Sequence, residues 1–442
     1  MSLTLNASNG SFRYIGLIVI TMYVNFTFVF KGFELAQYLI YYAFIFMYIL
    51  YHFPLISDWF KTIKREYYGF PLSILCWIWI FIASLAVPFL YGTYDFSYAN
   101  VVLGILRQCI SQLFILILVY KYMNKSNLFE NYINVMTLSG VLYILFSCLM
   151  LISYTFRSFW LGIIADSYGS EAFETTYGYY TRYGLAGFSG FNVTIVCTEL
   201  VLLRLLLFWK KIGEKRKLGI VDYSALFFLI LGNSFYGRSG LLISLGMIVV
   251  FIFMNAISTK SFKLIYWIFI ILGVSFVAVT ILKEYNEQIN IYYTWALRPV
   301  INLIETGHFN SASSDIMFDM YFMPSFETIL MGDGHYVGFN GIGYYMSTDI
   351  GLMRPMLFYG IFNQFIGYLL VFIYILGTRR KISKLAKGLG TLYVMLSIMS
   401  LIAFEIKGEA FFRLAGIYLV MLIIAFYESR RITFIERLEK DG

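Results

Sequence analysis

Residues 188–209 read FSGFNVTIVCTELVLLRLLLFW, an apolar run of about the 20 residues that a helix needs to cross a bilayer. Similar runs recur along the chain, at 14–30, 34–53, 70–90, 100–120, 132–154, 220–236, 240–255, 264–282, 356–376, 391–405 and 415–427. The runs are continuously apolar and do not alternate with polar residues, which favours helices over a transmembrane barrel. The sequence therefore predicts an all-α integral membrane protein with about twelve transmembrane helices, in a single polytopic domain covering residues 1–442.

The composition supports the same fold class. Of the 442 residues, 60% are hydrophobic and 13% are charged, whereas a soluble domain is about 45–50% apolar and about 25% charged. So few charges cannot cover a water-facing surface, which excludes a soluble enzyme, a nucleic-acid-binding protein and a disordered scaffold. The net charge of +8 does not indicate a nucleic-acid partner, because the basic residues lie between the apolar runs.

Lysine and arginine predict the orientation, since cytoplasmic loops carry an excess of both. With the N-terminus inside, most of the 33 Lys and Arg residues fall in inner segments, so we expect both termini to face the cytoplasm. Two outer segments are long, 155–187 and 283–355, and loops above about 15 residues are usually functional or disordered. Both segments are rich in aromatic residues and glycine. We therefore expect them to fold at the membrane surface, the second with short helices, and we expect the active face to be the outer one.

Three arginines lie in predicted outer segments, where the charge rule does not require them. Arg182 precedes a span, Arg238 occupies the tight turn Gly237-Arg-Ser-Gly240 between two spans, and Arg354 follows Asp349 by five residues. A guanidinium is planar, permanently charged and forked, so it suits phosphate oxygens better than the point charge of lysine does. These arginines therefore fit a pyrophosphate carried by a lipid. The alternative interpretation is that each is an interfacial residue whose side chain reaches toward water.

Arg107 lies inside the predicted span 100–120, about 11 Å below its outer end at 1.5 Å per residue. Exposing this charge to lipid would cost at least about 2.5 kcal/mol, so we expect Arg107 to line a cavity or to meet a partner. Gln108, Ser111 and Gln112 extend a polar stripe along the same helix. The alternative is an internal ion pair with a carboxylate such as Glu405.

Asp349 is the strongest candidate for acid–base chemistry. It stands just before an apolar helix at the predicted outer face, and a helix start also binds anions through its free N–H groups. The alternative is that Asp349 caps this helix, with Thr348 as a competitor for that position. His335, in the segment Gly332-Asp-Gly-His-Tyr336, is a weaker candidate, and its alternative interpretation is an ordinary loop residue.

Tyrosines are frequent in the two long outer segments, at Tyr177, Tyr179, Tyr180, Tyr183, Tyr336, Tyr344 and Tyr345. Aromatic rings pack well on the C–H faces of sugar rings, so these tyrosines are candidates for carbohydrate stacking. The alternative for most of them is the aromatic belt that is found at any membrane interface.

Several motifs follow one another between residues 182 and 367. Residues 182–192, RYGLAGFSGFN, run from Arg182 to Asn192 into a span, and residues 237–242, GRSGLL, form a turn that opens the next outer helix. Residues 333–335, DGH, are followed by DIGLMR at 349–354 and by YGI at 359–361. In order and spacing these motifs resemble the bacterial O-antigen polymerase and ligase superfamily, in which the same elements surround the large outer loop.

The resemblance implies a GT-C-like fold and a metal-independent glycosyltransferase without a cofactor. Its substrates would be undecaprenyl-pyrophosphate-linked oligosaccharides, on the outer face of a bacterial cytoplasmic membrane. Ligases of the superfamily place a histidine in the large loop as the base that activates the acceptor. Here Asp349 takes that place, which favours a repeat-unit polymerase over a ligase. Residues 311–315, SASSD, also lack the arginine that is usual in the serine-rich stretch of that loop.

As a polymerase, the protein would join oligosaccharide repeat units into an O-antigen or a capsule. Arg182 and Arg238 would bind the donor pyrophosphate and stabilise its charge, and Asp349 would accept the proton of the attacking hydroxyl. Arg354 would orient Asp349 or a phosphate, and Arg107 would line a cavity on the lipid side. The further predicted substrate-binding residues are His335 and Asn192. A chain-length regulator protein is a possible partner.

Three alternative functions stay open. An O-antigen ligase would transfer a finished glycan once per acceptor. A flippase for lipid-linked oligosaccharides would also have about twelve spans, with charges distributed along a central vestibule. A secondary transporter should show paired broken helices in corresponding halves, and no such pairing is visible in the sequence.

Overall fold

The apolar run at 188–209 forms one long helix, Gly190–Gly213, in a computed structural model of the protein. The structure describes residues 2–165, 182–188, 190–259, 273, 277, 280–281, 283–284, 287–308, 312–339, 341 and 343–441. The predicted span 264–282 therefore lies largely outside the described residues, and so do Tyr177, Tyr179 and Tyr180.

The described helices follow one another with short connections. In chain order they are α1 (Ser2–Asn25), α2 (Glu34–Tyr51), α3 (Phe53–Glu66), α4 (Gly69–Leu90), α5 (Ser97–Tyr122), α6 (Leu128–Ile152), α7 (Tyr154–Ile163), α8 (Gly190–Gly213), α9 (Ile220–Tyr236), α10 (Arg238–Thr259), α11 (Glu287–Thr306), α12 (Ala312–Asp319), α13 (Phe326–Met331), α14 (Arg354–Ile382), α15 (Leu389–Glu405) and α16 (Phe411–Asp441). Short 3₁₀ turns cover Lys125–Asn127 and Tyr345–Ser347. The described strands are β1 (Tyr183–Gly184) and β2 (Gly187–Phe188), which pair antiparallel.

Eight of the described helices are long and apolar enough to cross a membrane, which makes this an all-α, multi-pass membrane protein. They are α2, α4, α5, α6, α8, α10, α14 and α16. Three shorter apolar helices cover Phe12–Asn25 within α1, α9 and α15. The segment 283–355, predicted as the large outer loop, contains α11, α12, α13 and the second 3₁₀ turn.

Backbone contacts divide the chain into two units. Unit 1 comprises residues 1–44 and 118–310, and unit 2 comprises residues 45–117 and 311–442. The segment 283–355 contributes to both of them, because the division falls between Asn310 and Ser311.

Unit 1 is built around α8, which packs against α6, α9 and α10. From Val193 to Lys210 nearly every side chain of α8 is buried, as expected of a helix that is apolar on all sides. Glycines allow the helices to approach closely. A Cβ atom at Gly140 of α6 would collide with Leu200 of α8, and one at Gly232 of α9 would collide with Ile144 of α6. Small residues at such crossings are the usual means of packing helices in membranes.

Ion pairs join one end of these helices. Arg204 is 1% exposed and pairs with Asp222 at 2.9 Å, while its Nη1 donates to the Asn134 side chain at 2.8 Å. Lys211 also pairs with Asp222, and Glu130 at the start of α6 pairs with Lys210. A buried arginine inside an apolar helix is costly unless it is paired. This network therefore fixes the C-terminal part of α8 against the starts of α6 and α9.

Unit 2 is organised by α14, which packs against α4, α13, α15 and α16. The helix is broken at Gly360, whose φ of +83° and ψ of 164° are not helical. The carbonyls of Leu357 and Phe358 accept hydrogen bonds from the N–H groups of Asp333 and Gly334, at 2.7 and 3.0 Å. The peptide groups freed by the break are thus satisfied by the preceding segment, as buried backbone requires.

Candidate functional site

A two-strand hairpin positions Arg182. Tyr183 pairs with Phe188 across β1 and β2, and Trp160 donates its indole N–H to the carbonyl of Leu185 in the turn at 2.9 Å. Arg182 precedes this hairpin with a φ of +74°, a left-handed conformation that is uncommon outside glycine. Backbone strain of this kind persists only where the surroundings enforce it, and it is concentrated at functional sites.

The side chain of Arg182 lies along the start of α8. A Cβ atom at Gly190, the first residue of α8, would lie 3.2 Å from Cδ and 3.4 Å from Nη1 of Arg182. Glycine at this position therefore lets the guanidinium reach the helix N-terminus. Unpaired N–H groups and the helix dipole make such a terminus favourable for anions.

Arg238 lies near the same end of α8. Only Gly237 separates α9 from α10, and Arg238 is the first residue of α10. Cβ atoms at Gly237 and Gly240 would both collide with Thr194, one turn into α8. The hydroxyls of Thr194 and Ser239 are buried and make no hydrogen bond among the described residues.

Asn192 completes the group of predicted site residues in unit 1. Its side chain is exposed in the first turn of α8. Arg182 and Arg238 are both half-buried. The structure therefore brings these three residues to one end of one helix, although 56 positions separate the two arginines in the sequence. Forked cations beside a helix N-terminus can hold a phosphate or a pyrophosphate.

Asp95 anchors the corresponding segment in unit 2. Its Oδ2 accepts hydrogen bonds from the N–H groups of Tyr336 and Val337, at 2.7 and 2.9 Å, and Thr93 donates to the carbonyl of Gly334 at 2.7 Å. Burial alone would raise the pKa of Asp95, but the hydrogen bonds from Val337 and Tyr336 outweigh it and lower that pKa. The segment 334–337 is thus fixed to the turn between α4 and α5.

Arg354 lies in an aromatic and ionic cage. Its guanidinium lies 4.0 Å from the ring centroid of Tyr336 and 4.1 Å from that of Tyr344, and its Nη1 lies 3.2 Å from Oε2 of Glu409. Tyr336 also donates its hydroxyl to Oε2 of Glu409 at 2.5 Å. Arg354 Nε and Glu409 Oε1 are buried and make no hydrogen bond. The predicted outer arginine thus pairs with a glutamate.

Asp349 stands five residues before this arginine. Met346 and Ser347, just before it, have φ values of 53° and 56°. The helix cap interpretation is not realised, because α14 begins only at Arg354; Thr348 Oγ1 accepts the N–H of Ile350 at 3.3 Å. Burial raises the pKa of Asp349, and the charges of Lys407 and Arg354 partly oppose this rise. A carboxylate with a raised pKa is a better proton acceptor than an ordinary aspartate.

His335 belongs to an aromatic group beside the cage. Its ring stacks on Tyr345 at 5.2 Å and meets Phe339 edge-on at 5.0 Å. Tyr345 donates its hydroxyl to Asp333 at 3.0 Å. Burial, followed by that hydrogen bond, raises the pKa of Tyr345 to about 12. These rings form a partly exposed platform that fits a substrate-binding role for His335.

Arg107 is not part of either group. It is exposed, and its Nη2 donates to the carbonyl and the side chain of Asn100, at 2.9 and 2.8 Å. The carboxylate of Glu405, the predicted alternative partner, instead accepts the N–H groups of Ala410 and Phe411, at 2.7 and 2.9 Å, and so caps α16.

Sequence reasoning missed Glu409 and Asp95. The signal for Glu409 was present, since residues 405–409 read EIKGE and place three charges in one short turn of an otherwise apolar region. Asp95 had no such signal, because an aspartate in a turn such as YDFS at 94–97 is ordinary. Its partner segment lies 241 residues further along the chain.

The predicted site residues thus form two groups. Arg182, Asn192 and Arg238 lie near the N-terminal end of α8 in unit 1, and His335, Asp349 and Arg354 lie in neighbouring segments of unit 2. Among the described residues, no three His, Cys, Asp or Glu side chains are close enough to share a metal ion. No protein-family model and no curated protein matches this chain.

Proposed function

We propose that this chain is a polysaccharide polymerase that joins oligosaccharide repeat units carried on a polyprenyl pyrophosphate. It would have a GT-C-like fold with about twelve spans, in a bacterial cytoplasmic membrane with both termini inside. A chain-length regulator protein would be its partner. The proposal would place the chemistry on the outer face, where Arg182, Arg238 and Asp349 are expected.

One observation carries the proposal: Arg182 and Arg238, remote in sequence, lie at the N-terminal end of α8. Both belong to motifs that resemble the O-antigen polymerase and ligase superfamily. A span whose N-terminal end carries two forked cations suits the pyrophosphate of a lipid-linked donor. Snorkelling alone does not explain why Arg182 adopts a left-handed backbone conformation.

The proposed reaction is a glycosyl transfer. A hydroxyl of the acceptor sugar attacks the anomeric carbon of the donor chain, a new C–O bond forms, and the bond to the lipid pyrophosphate breaks. Asp349 would accept the proton of the attacking hydroxyl. Arg182 and Arg238 would stabilise the charge that develops on the departing pyrophosphate, so they would act most strongly in the transition state.

Reconstitution tests the proposal. Purified protein in lipid vesicles would receive the lipid-linked repeat unit that accumulates in cells lacking this chain, and the products would be separated on a gel. A ladder spaced by one repeat unit is expected without any nucleotide sugar. Arg182→Ala and Asp349→Asn should remove the ladder, while Lys217→Gln, an exposed change in unit 1, should leave it intact. Absence of a ladder with the unaltered protein would contradict the proposal.

A flippase is the second candidate, and Glu199 is the observation in its favour. This glutamate is fully buried within α8, a span, and ionisable residues inside spans often mark transport pathways. In the same vesicles a flippase would make lipid-linked sugar accessible from the other side of the membrane without forming a ladder. Glu199→Gln would then abolish that movement.

A further inference from the structure

We propose that one end of unit 2 binds the headgroups of anionic phospholipids. This basic end is formed by residues 58–66 of α3, residues 379–387 at the end of α14 and in the turn after it, and residues 428–437 of α16. It lies at the opposite end of α14 from the cage around Arg354, so the inference goes beyond the proposed function and does not depend on it. All of these residues belong to unit 2.

Helix α3 stays on one side of the membrane. It connects the spans α2 and α4, so it begins and ends at the same membrane surface. The helix buries apolar side chains on one face and packs against α4 and α16, whereas Lys61, Lys64 and Arg65 are exposed. An apolar face opposite basic residues is typical of helices that lie in the membrane interface.

Two ion pairs fix the C-terminal end of α3 at the depth of the lipid headgroups. Glu66 pairs with Lys381 of α14 and, at 2.7 Å, with Arg430 of α16, and Nη1 of Arg430 donates to Thr62 at 3.0 Å. The predicted apolar runs end five residues before Lys381 and three residues before Arg430. At 1.5 Å per residue these offsets are about 7.5 and about 4.5 Å. The headgroup layer is about 5–8 Å thick on each side of the hydrocarbon core, so the two pairs lie within it.

The basic end has a large excess of positive charge. Its three segments contain eleven lysines and arginines against four carboxylates, an excess of seven. The carboxylates are Asp58, Glu66, Glu428 and Glu436. Glu66 is already held by two cations, and Glu428 pairs with Arg431. The C-termini of α3 and α14 each contribute only about half a negative charge. Neither the carboxylates nor the helix ends therefore balance the cations.

Four of these cations present their charge to the surroundings. Lys61, Lys64, Arg65 and Arg380 are exposed. Within the described part of the chain, none of the four pairs with a carboxylate. Their ammonium and guanidinium groups are accessible without any rearrangement, and such groups form strong, charge-assisted hydrogen bonds with phosphate oxygens. The basic end is therefore suited to phosphate groups that lie at the membrane surface.

An apolar surface next to the basic end favours a lipid over a soluble acidic partner. Helix α4 begins three residues after α3 ends, and it exposes Leu72, Leu75, Trp79 and Ile82. Spacings of three and four residues place these side chains on one face of the helix. Because α4 is a span, this face contacts acyl chains. A phospholipid can place its chains on α4 while its phosphate meets the cations of α3, which a soluble partner cannot do.

The charge excess selects anionic over zwitterionic headgroups. A zwitterionic headgroup carries its own cation, which the basic end repels, whereas an anionic headgroup is attracted as a whole. Each lysine or arginine near an anionic membrane surface strengthens binding by about 5-fold, the equivalent of about 1 kcal/mol. The attraction is electrostatic, so it decreases as the salt concentration rises.

Native mass spectrometry of the full-length protein in a neutral detergent tests the inference. Phosphatidylglycerol and phosphatidylcholine with the same acyl chains would be titrated separately, and the lipids bound to each protein molecule counted. Phosphatidylglycerol is expected to bind at least about 10-fold more tightly, the equivalent of about 1.4 kcal/mol, with a smaller preference at high salt. Lys61→Gln combined with Lys64→Gln should lower the affinity for phosphatidylglycerol by about 10-fold and leave the affinity for phosphatidylcholine unchanged.

Lys215→Gln combined with Lys217→Gln is the matched control. It removes the same two charges from an exposed turn of unit 1 and should leave the affinity for phosphatidylglycerol unchanged. All four lysines are exposed, so both double variants should keep the melting temperature of the unaltered protein.

Three results would overturn the inference. They are equal affinities for the two lipids, an affinity for phosphatidylglycerol that does not respond to the change at Lys61 and Lys64, and an equal loss in the control, which would indicate an effect of net charge alone. Failure of the proposed function is read separately, because this experiment contains no lipid-linked sugar. A protein that prefers phosphatidylglycerol but forms no ladder would contradict the polymerase and leave the lipid site in place.

Discussion

Arg354 and Glu409 pair at 3.2 Å, although 55 residues separate them. The pair joins the first residue of α14 to the turn between α15 and α16. Removing one member of a buried ion pair leaves an uncompensated charge, which is far more costly than the net value of the pair itself. The pair therefore holds these two segments of unit 2 together beside Asp349.

Arg182→Ala and Arg238→Ala should each lower the rate of polymer formation by at least about 100-fold. The loss of one group that stabilises a developing negative charge has an effect of that size in other enzymes. The amount of protein in the membrane should not change. Gel ladders and immunoblots of the same membranes measure both quantities. Equal loss of protein and polymer would favour a structural role instead.

Arg204→Met provides the contrast. This arginine is tied to Asp222 and Asn134 inside unit 1, so its removal should destabilise the fold by about 3 kcal/mol, the lower end for a broken buried pair. Lys211 still pairs with Asp222, which limits the loss. Thermal unfolding in detergent measures the effect, and an unchanged melting temperature would show that the network does not stabilise unit 1.

Arg182→Gly should be more stable than Arg182→Ala, by about 1 kcal/mol, because the φ of +74° is strained for alanine and not for glycine. Both variants lack the guanidinium, so both should be inactive. The difference between their melting temperatures measures the cost in stability of the left-handed backbone conformation for alanine. Identical temperatures would mean that the chain relaxes at this position.

Lys407→Gln should shift the acid limb of the pH–activity profile to higher pH. Burial raises the pKa of Asp349, and Lys407 opposes that rise, so removing its charge raises the pKa further. Because the base must be ionised, activity then begins at a higher pH. Lys217→Gln is the control and should leave the profile in place.

Asp349→Asn should abolish activity without destabilising the protein at neutral pH. Burial raises the pKa of Asp349 in the folded state above the unfolded value of about 3.9. The protonated side chain therefore contributes its full stability below the unfolded pKa, and this contribution is lost as the pH rises through the folded pKa. The permanently neutral asparagine avoids this loss. Melting temperatures at pH 5 and pH 8 test the sign, and a less stable variant at pH 8 would contradict it.

Gly360→Ala should lower stability by more than about 2 kcal/mol. The φ of +83° alone costs about 1–2 kcal/mol for alanine, and the added Cβ would also collide with the carbonyl of Leu330. Gly162→Ala, in α7, meets nothing within 4 Å and should cause no loss. Equal effects of the two changes would show that the break in α14 is not enforced.

The ends of the helices were predicted well where polarity changes sharply along the sequence, and less well where it does not. The span predicted at 70–90 is α4, Gly69–Leu90, because polar residues end the apolar run at both sides. The span predicted at 356–376 is α14, which continues to Ile382 through Arg379 and Arg380. The run of apolar residues ends where the helix leaves the membrane, whereas the hydrogen bonds of the helix can continue into water.

Helix α3 was not predicted. Helix α3, Phe53–Glu66, buries Ile56, Trp59 and Ile63 on one face and carries basic residues at its end. The hydropathy pattern does not predict it, because it is too short and too polar for a span. The spacing of its apolar residues by three and four positions was the available signal.

The sequence indicated which residue types to consider for the candidate site, but it did not indicate their partners. Arg182 and Arg238 were singled out because they lie in predicted outer segments, where the charge rule does not require them. The pairing of Arg354 with Glu409 was not foreseen, since it depends on how α14 and the 405–411 turn meet. Local patterns do not encode contacts between residues this far apart in sequence.

The bonds that close the break in α14 also set an order of events during biogenesis. Asp333 and Gly334 leave the ribosome before Leu357 and Phe358, to which they donate. The hydrogen bonds from Asp333 and Gly334 can therefore form only after the start of α14 has been synthesised. Both segments must also lie on the same side of the membrane for these bonds to form. Glu409 is synthesised 55 residues after Arg354, so their ion pair can form only later still.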